Sequence, residues 1–506
     1  MRGQNGPVTI PERFASLLAP GTPLQRVAAA FVDAGYECFL VGGSVRDALL
    51  GTTRPGGTEL DLATNARPAE IRRVLAPLAS SLVLVGARFG TVGAVVDGVT
   101  FEVTTYRADV YHPESRKPEV RFGDRITDDL ARRDFTVNAM ALRLPDPELV
   151  DPFDGVADLA ARRLRTPLAP EVSFADDPLR MMRAARFVAT LGFEPVPELT
   201  AAIGRERHRL EIVSAERIRD ELSRLLVADD PTAGLWLLST TRLSDEFLPE
   251  LNAMRLEQDP VHRHKDVLAH TIAVVARTRA DLVLRLAALL HDIGKPKTRS
   301  FDRGRVSFHH HEVVGARMAR ERLVALRYPN QVVDDVTTLV ALHLRIHTYA
   351  MGWTDAAVRR YVRDAGPLLE RLNELQRADC TTRNRRRAEE LARRMDELEA
   401  RIAELRAREE LARIRPPLDG RQVMGFLGIP PGPLVGEALE HLLELRLEEG
   451  PMDAAEGYRR LAAWAEARGL PHGPVPDEGP DRGGPPSGAG HAEQPDEGPD
   501  APQRSA

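Results

Sequence analysis

The chain is organised around residues 39–61, which read FLVGGSVRDALLGTTRPGGTELD. Three apolar residues run into the pair Gly42 and Gly43, which predicts a buried strand followed by a turn with unusual backbone angles. The amides that open the next helix, together with the helix dipole, attract anions. Arg46 lies one turn into that helix and adds a charged donor. The stretch therefore predicts a phosphate cradle.

The same stretch predicts where this helix begins and ends. Ser44 is placed as its N-cap, with Asp47 three residues later to complete a capping box. Gly51 lies where a glycine C-cap belongs. A capped surface helix without a ligand fits these residues too, so the helix by itself leaves both interpretations open.

Two carboxylates follow on the next predicted strand. Glu59 and Asp61 are two residues apart, so both project from one face while Leu60 and Leu62 face the core. Like charges on one face repel unless a cation lies between them, which is how divalent metals are held for phosphoryl transfer. The alternative is two solvated acids on an edge strand, and the order of cradle and acids favours the metal site.

Residues 42–47 (GGSVRD), followed by an acid-Leu-Asp triplet, resemble the class II tRNA nucleotidyltransferases, the family of CCA-adding enzymes and bacterial poly(A) polymerases. The resemblance implies a polymerase-β-type head in which Glu59 and Asp61 bind two Mg²⁺ ions. The family usually has Asp at both positions, and this chain has Glu59 at the first. The residues implied to hold the triphosphate of CTP or ATP are Gly42, Gly43 and Arg46.

A third acid is expected on a later strand of the head. Residues 100–107 alternate, so Glu102 shares a face with Thr104 and Tyr106 while Phe101 and Val103 face the other way. The resemblance places the family's third metal-binding acid on this strand, at Glu102. A surface glutamate on a half-buried strand is the alternative.

Residues 108–131 are polar and rich in Pro and Gly, which predicts a long functional loop. It ends in the segment RRDFTVNA (residues 132–139). By resemblance, Arg133 contacts the nucleotide beside Asp134. The alternative is that Asp134 only caps a helix after two surface arginines.

A ridge of arginines marks the next helix. Asp177, Arg180, Arg183 and Arg186 recur every third residue, and Asp177 is predicted as the N-cap before Pro178. One acceptor and several forked donors suit a base edge and a triphosphate at once. By resemblance, Asp177 and Arg180 read the base of CTP or ATP without a template, and Arg183 and Arg186 lie nearer the phosphates. A capped helix with an ion pair is the alternative.

A second candidate site lies downstream, where the pair His291-Asp292 ends an apolar run and is followed by Ile-Gly-Lys. This pattern resembles the HD phosphohydrolase superfamily. Imidazole and carboxylate ligands suit Mn²⁺, Ni²⁺, iron or Mg²⁺, and such a site can generate hydroxide to cleave a phosphoester. The alternative is an HD scaffold with satisfied core histidines. The implied ligands are His270, His291, Asp292, His311, His343 and Asp379.

Composition sets the bounds. At 506 residues, with 43% hydrophobic and 28% charged residues, the chain is expected to form several globular domains. The net charge of −6 requires any RNA surface to be local. Two distant cysteines, no secretory signal and no apolar run of membrane length favour a cytoplasmic protein without a membrane partner.

These features predict an α+β protein with a mixed-sheet nucleotidyltransferase head followed by an all-α neck, HD and tail region. The apolar residues of 391–405 step by four and three, which indicates one partner helix, either inside the chain or in a homodimer. The expected segments are a lead-in (1–24), the head (25–167), a nucleotide-recognition neck (168–250), an HD domain (251–382), a helical tRNA-contacting tail (383–470) and a disordered end (471–506).

The predicted function is template-independent addition of CCA to tRNA 3′ ends from CTP and ATP, with an HD phosphohydrolase activity beside it. Within this class, a poly(A) polymerase or an enzyme that adds only CC or only A is the alternative. From another class, the alternative is an HD phosphohydrolase or RNA-binding protein whose head is impaired by Glu59.

Overall fold

The computed structural model describes residues 14–52, 59–84, 90–107, 122–256, 266–302, 305–346, 353–380, 385–409 and 414–476. It confirms the predicted fold class, a mixed-sheet head followed by a helical region. Three sequence predictions lie wholly or mostly outside the described residues: the start of the lead-in, most of the loop at 108–131, and the disordered end beyond 476. The last residues of that loop are described, and the prediction is wrong for them, because Ile126–Ala131 form a helix.

The head is built on one seven-stranded sheet in the order β3-β4-β5-β2-β1-β6-β7. Strands β2 and β5 pair in parallel, and the other neighbours pair antiparallel. Its elements are α1 (Ala15–Leu18), α2 (Pro23–Asp33), β1 (Cys38–Val41), α3 (Gly43–Leu50), β2 (Glu59–Thr64), α4 (Pro68–Leu75), β3 (Ser81–Val83), β4 (Thr91–Val96), β5 (Val99–Thr105), α5 (Ile126–Ala131), β6 (Ala141–Leu144) and β7 (Glu148–Val150).

The two faces of this sheet differ. Leu62 and Phe101 pack into a core with apolar residues of α2, α3 and α4. Val41 and Ala63, at the alternate positions, belong to a second cluster on the other face. Asp61 shares the parity of Ala63, so the candidate metal ligands lie on this second face, as the alternation predicted.

Helices dominate after the head. They and the short strands between them are α6 (Gly155–Ala160), β8 (Arg163–Leu164), α7 (Pro170–Asp176), α8 (Leu179–Leu191), β9 (Glu194–Pro195), α9 (Pro197–Glu206), α10 (Ala215–Leu226), α11 (Thr232–Thr240), α12 (Pro249–Ala253), α13 (Val267–Arg277), α14 (Leu282–Leu290), α15 (Lys295–Thr298), β10 (Ser300–Asp302), β11 (Arg305–Ser307), α16 (His311–Ala325), α17 (Asn330–Leu342), α18 (Asp355–Ala365), α19 (Leu369–Asp379), α20 (Arg385–Arg408), α21 (Gly420–Leu427), α22 (Pro433–Glu449) and α23 (Ala454–Glu466).

The chain divides into two compact units. The first comprises Met1–Thr348 and Pro367–Met395, and the second comprises Tyr349–Gly366 and Asp396–Ala506. The finer predicted boundaries at 167, 250 and 382 stay predictions. A search of the described residues finds no helix with the length and apolarity that crossing a bilayer requires.

The second unit has its own core, formed by α21, α22 and α23. The predicted apolar stripe of α20 is buried here at Leu398, Ile402 and Leu405. Beside it, Arg401 donates to Asp355 of α18 at 2.7 Å. The stripe therefore packs inside the chain, and the homodimer stays a prediction.

Candidate active sites

Three carboxylates lie on one face of the head sheet. Asp61 of β2 is the register partner of Glu102 on the parallel strand β5. Glu59 opens β2 two residues earlier. Glu59 and Glu102 are exposed, and Asp61 is half-buried. The structure thus brings together the three acids that the sequence predicted as metal ligands.

The negative charges of these carboxylates repel one another. Burial raises the pKa of Asp61, the Arg133 guanidinium opposes this shift, and Glu59 adds to it. Burial, Asp61 and Glu59 together raise the pKa of Glu102. A divalent cation would relieve both effects, and carboxylate oxygens are the ligands that Mg²⁺ prefers, so the donor set fits such an ion.

The glycine turn lies directly beside these acids. Gly42 has φ 70° and ψ −135°, a conformation that only glycine adopts readily. A Cβ at this position would lie 3.0 Å from Arg133 Nη1 and 3.6 Å from Asp61 Oδ2. The turn therefore needs a bare backbone because an arginine and a candidate metal ligand approach it closely.

The predicted capping box of α3 is wrong. The helix begins at Gly43, so Ser44 lies inside it, and its N-cap residue Gly42 has no side chain to cap the first amides. Asp47 instead accepts a hydrogen bond from Arg46 Nε at 2.8 Å. The predicted C-cap is confirmed, because Gly51 ends the helix in the left-handed conformation at φ 71°.

The arginine ridge of α8 is largely tied down by the protein itself. Arg180 is buried and donates to Ser173 Oγ at 2.9 Å and to the carbonyl of Arg132. Arg183 Nε donates to Asp134 Oδ2 at 2.8 Å, and Arg186 Nε donates to Glu221 at 2.6 Å. Such partners hold the guanidinium groups in fixed positions. They do not leave them as mobile surface charges.

The start of α8 differs by one residue from the prediction. The helix begins at Leu179, after Pro178, although Asp177 still accepts a hydrogen bond from the Leu179 amide at 3.1 Å. Asp177 also pairs with Arg217 of α10 at 3.0 Å. The predicted cap is therefore displaced, but its carboxylate does bind the helix start.

A cavity of about 350 Å³ joins the sheet to α8. The sequence-predicted residues on its wall are Asp61, Arg133, Asp134, Asp177, Arg180 and Arg183. Gly42 is in contact range of two of them, whereas Arg46 and Arg186 are turned to partners elsewhere. Among the described residues, six arginines and three aspartates line the cavity, a balance that suits a polyanionic ligand.

Several residues of this site were not predicted. Arg107, Arg132 and Arg217 line the cavity. Asp129 is buried, and its two oxygens accept from Arg132 at 2.9 Å and from Arg133 at 3.1 Å. Arg132 and Arg133 follow Asp129 by three and four residues at the end of α5, and this spacing was a signal that could have revealed the two ion pairs.

The six predicted HD ligands also converge, at the ends or on the faces of α13, α14, α16, α17 and α19. His270 Nε2 lies 2.9 Å from Asp379 Oδ1, and His291 Nε2 lies 3.2 Å from Asp292 Oδ2. Ligand atoms of His270, His291 and Asp292 form one tight group, and those of Asp292, His311 and His343 form another. Asp292 is common to both groups, so the arrangement fits two neighbouring cations.

The ring orientations favour metal binding over a satisfied core. Nδ1 of His311 and of His343 lies 2.7 and 2.6 Å from a backbone carbonyl, so this nitrogen carries the proton and Nε2 keeps a lone pair. Nε2 of His311 and of His343 is buried and has no hydrogen-bond partner among the described residues. Neutral histidines that present Nε2 are the form in which imidazole binds a metal.

Charges in this cluster are strongly coupled. Burial opposes the charge on His291, but the Asp292 carboxylate outweighs it and raises the pKa of His291 to about 8. Burial and the charge of His291 lower the pKa of His343 to about 3. Despite burial, His291 and Lys295 hold the pKa of Asp292 well below its ordinary value. Lys295 Nζ lies 2.7 Å from Asp292 Oδ2.

A mixed-sheet head with an acid face, a glycine turn and an arginine-lined cavity defines a nucleotidyltransferase. Comparison with known families agrees with this class. The Poly A polymerase head domain matches residues 38–165, the probable RNA and SrmB-binding site of polymerase A matches 192–255, and the HD domain matches 267–405.

Individual proteins with similar sequences identify the family within the nucleotidyltransferases. The chain is 38% identical over 444 residues to the A-adding tRNA nucleotidyltransferase of Deinococcus radiodurans, covering 84% of this chain and 95% of that protein. It is 34% identical over 456 residues to the CC-adding tRNA nucleotidyltransferase of Thermus thermophilus, covering 87% and 97%. The chain therefore belongs to the tRNA nucleotidyltransferase and poly(A) polymerase family.

Two further comparisons concern enzymes named CCA-adding. The CCA-adding enzyme of Lacticaseibacillus paracasei is 43% identical over 211 residues, which cover 42% of this chain and 51% of that protein. The crystal structure of the Bacillus stearothermophilus CCA-adding enzyme in complex with CTP is similar, with a TM-score of 0.61, 26% identity and coverage of 90% and 98%.

Proposed function

We propose that this protein adds CCA to tRNA 3′ ends, using CTP and ATP. One observation carries the proposal: a single cavity joins Asp61 of the acid face to Arg133, Asp134, Asp177 and Arg180. The chemistry is attack of the RNA 3′-hydroxyl on the nucleotide α-phosphate, with release of pyrophosphate. Glu59, Asp61 and Glu102 would hold two divalent cations, Mg²⁺ by donor type, whose chemistry is activation of the hydroxyl and stabilisation of the leaving group.

The nucleotide would be bound by groups that the fold has already fixed. The uncapped amides at the start of α3 and the guanidinium of Arg133, which approaches Gly42, would bind the triphosphate. Asp177 offers an acceptor and Arg180 offers donors, each held by neighbours, which is what reading a base edge without a template requires.

A second candidate is addition of A alone. The Deinococcus radiodurans relative, which aligns over most of both chains, is named an A-adding enzyme, and the Thermus thermophilus relative a CC-adding enzyme. The geometry of the described residues fits all three products, because each uses the same transfer chemistry.

An incorporation assay separates these products. Purified protein is given Mg²⁺ with tRNA transcripts ending before CCA or after CC, and with CTP and ATP separately and together. Three nucleotides added to the first transcript only with both substrates support the CCA proposal. One A added only to the second transcript establishes the A-adding candidate, and long tails from ATP establish a poly(A) polymerase. No incorporation on either transcript contradicts the proposed head function.

The same assay tests whether Glu59 impairs the head. Glu59 lies exposed at the start of β2, where its longer side chain has room to place an oxygen near Asp61. We expect Glu59→Asp to change kcat/KM by less than about threefold, since the carboxylate is retained. Asp61→Ala is the control and should abolish transfer. A large gain on Glu59→Asp would mark the native head as crippled and favour the HD phosphohydrolase class.

We also propose that the HD cluster binds two divalent metals, with Mn²⁺ or Ni²⁺ as the ions to test, and cleaves phosphoesters. The buried Nε2 atoms of His311 and His343 support this proposal. In protein whose head site is disabled by Asp61→Ala, calorimetric titration with each metal should show binding that a further Asp292→Ala abolishes, and a further His309→Ala, at an exposed neighbour, should leave it intact. Wild-type protein that binds neither metal would contradict the proposal.

Two further proposals concern the protein's setting. A cytoplasmic location is supported by Cys38 and Cys380, which form no disulfide among the described residues. The other is a homodimer, which is tested by sedimentation of the purified protein across a concentration series.

A further inference from the structure

Asn138 lies between two parts of the candidate nucleotide site. Its side chain is buried, in the short 3-10 helix Thr136–Asn138 that precedes β6. Its Oδ1 accepts a hydrogen bond from Arg46 Nη1 at 2.7 Å, and its Nδ2 donates to Asp134 Oδ1 at 2.9 Å. Because arginine only donates and carboxylate only accepts, this amide has a single satisfied orientation.

The two partners of Asn138 belong to different elements. Asp134 Oδ2 accepts from Arg183 Nε of α8 at 2.8 Å. Arg46 lies in the first turn of α3, directly after the Gly42 turn, and its Nε donates to Asp47. A continuous line of charge-assisted hydrogen bonds therefore runs from α8, through Asp134 and Asn138, to the start of α3.

One aromatic ring supports both ends of this line. The guanidinium carbons of Arg46, Arg183 and Arg186 lie 5.3, 5.6 and 4.1 Å from the centre of the Phe187 ring. Asp134 and Arg183 line the cavity, whereas the donors of Arg46 are directed to Asp47 and Asn138. Arg46 thus supports the turn from the side away from the cavity, and Asn138 connects Arg46 to Asp134 on the cavity wall.

We propose that Asn138 is a positioning residue that couples helix α8, which carries the arginine ridge, to the glycine turn at Gly42. A nucleotide that engages Asp134 and Arg183 would set, through this amide, the position of Arg46 and of the turn beside it. This inference rests on the proposed function of the head. If Asn138 were only a satisfied core amide, its loss would lower stability without a specific effect on nucleotide use.

Two substitutions cut the line differently. Asn138→Ala removes both hydrogen bonds. Asn138→Asp keeps the acceptor for Arg46 but places a carboxylate oxygen against Asp134, so it breaks one link. Asn252→Ala is the matched control, because Asn252 also bridges side chains, Ser239 and Asp245, but lies outside the cavity wall formed by the described residues.

We expect both Asn138 variants to lower kcat/KM for CTP and ATP by about tenfold, mainly through KM, and Asn252→Ala to stay within about twofold. Melting temperatures should fall similarly for Asn138→Ala and Asn252→Ala. Loss of nucleotide use in step with loss of stability in all three variants would overturn the coupling, because that is the behaviour of a structural amide.

A mutant cycle gives the sharper answer. If Arg183 acts through Asn138, the loss in Arg183→Ala/Asn138→Ala should not exceed that in Arg183→Ala alone, whereas independent roles give losses that multiply. Wild-type protein is titrated with CTP and ATP by thermal shift in parallel. Nucleotide addition by wild type with multiplying losses overturns only the coupling. If wild-type protein shows neither nucleotide addition nor a nucleotide-dependent shift in melting temperature, the proposed function is overturned as well.

Discussion

At the scale of single residues, the metal-free head carries an electrostatic cost at Asp61. Burial and Glu59 raise the pKa of this carboxyl, although Arg133 opposes them. At pH values between the ordinary and the raised pKa, the folded chain holds more protons than the unfolded chain, so stability falls as pH rises through this window. The cost is complete above the raised pKa and absent below the ordinary one.

Asp61→Asn should therefore raise the melting temperature of metal-free protein at pH 7. The gain should vanish below about pH 4, where the carboxyl is neutral in both states. The measurement is thermal melting in EDTA at both pH values, with nucleotide addition assayed separately and expected to be lost. An unchanged or lower melting temperature at pH 7 would show that Arg133 fully offsets the burial of this charge.

Some side-chain positions of the head site could be predicted from the sequence pattern, and others could not. Alternation correctly placed Glu59 and Asp61 on one face of β2, because a strand fixes side-chain direction within two residues. The pairing that sets Asp61 beside Glu102 of β5 is a property of the fold. Arg46 and Asn138 are 92 residues apart, and Arg183 and Asp134 are 49 apart. No local period specifies such partners, since they depend on how separate elements pack.

At the scale of elements, the turn between β1 and α3 explains a wrong prediction. A capping box places a side chain over the first amides of a helix. Here the positive φ of Gly42 lets the helix begin at Gly43, and its first amides receive no side-chain cap. Local propensity favoured Ser44 as the cap, but the close approach of Arg133 to Gly42 decides the backbone path.

Gly42→Ala should impair both stability and nucleotide addition. The substitution forces alanine into a positive-φ conformation that only glycine adopts readily, at a cost of about 1–3 kcal/mol, and brings Cβ to 3.0 Å from Arg133 Nη1. Gly98→Ala is the control, because Gly98 also has a positive φ (78°) but has nothing within 4 Å of the added Cβ. Melting temperature and incorporation are measured on both. Equal retention of activity in the two variants would argue against a ligand-binding role of the turn.

At the scale of the whole molecule, the first unit contains two separate sites built on different principles. The head site combines a strand face, a turn and a helix, and the HD cluster gathers histidines and aspartates from five helices. Both candidate ligand sets were proposed by resemblance, and the fold brings the members of each set close together. That Asp292 belongs to both groups could be seen only in the folded structure, because His270 and His343 are far from it in sequence.

Because the two sites share no ligand, their losses should separate. Mn²⁺ or Ni²⁺ bound by the folded HD cluster would raise the melting temperature by mass action, and Asp292→Ala should remove the HD cluster's share of this rise while retaining nucleotide addition. Asp61→Asn should show the reverse, with the HD cluster's share of the rise retained and addition lost. Melting curves after EDTA treatment and metal return, run beside the incorporation assay, measure both. Loss of addition in Asp292→Ala would mean that the HD cluster supports the fold of the head. The role of its histidines would then be to stabilise the protein, and a role in hydrolysis would not be needed to explain them.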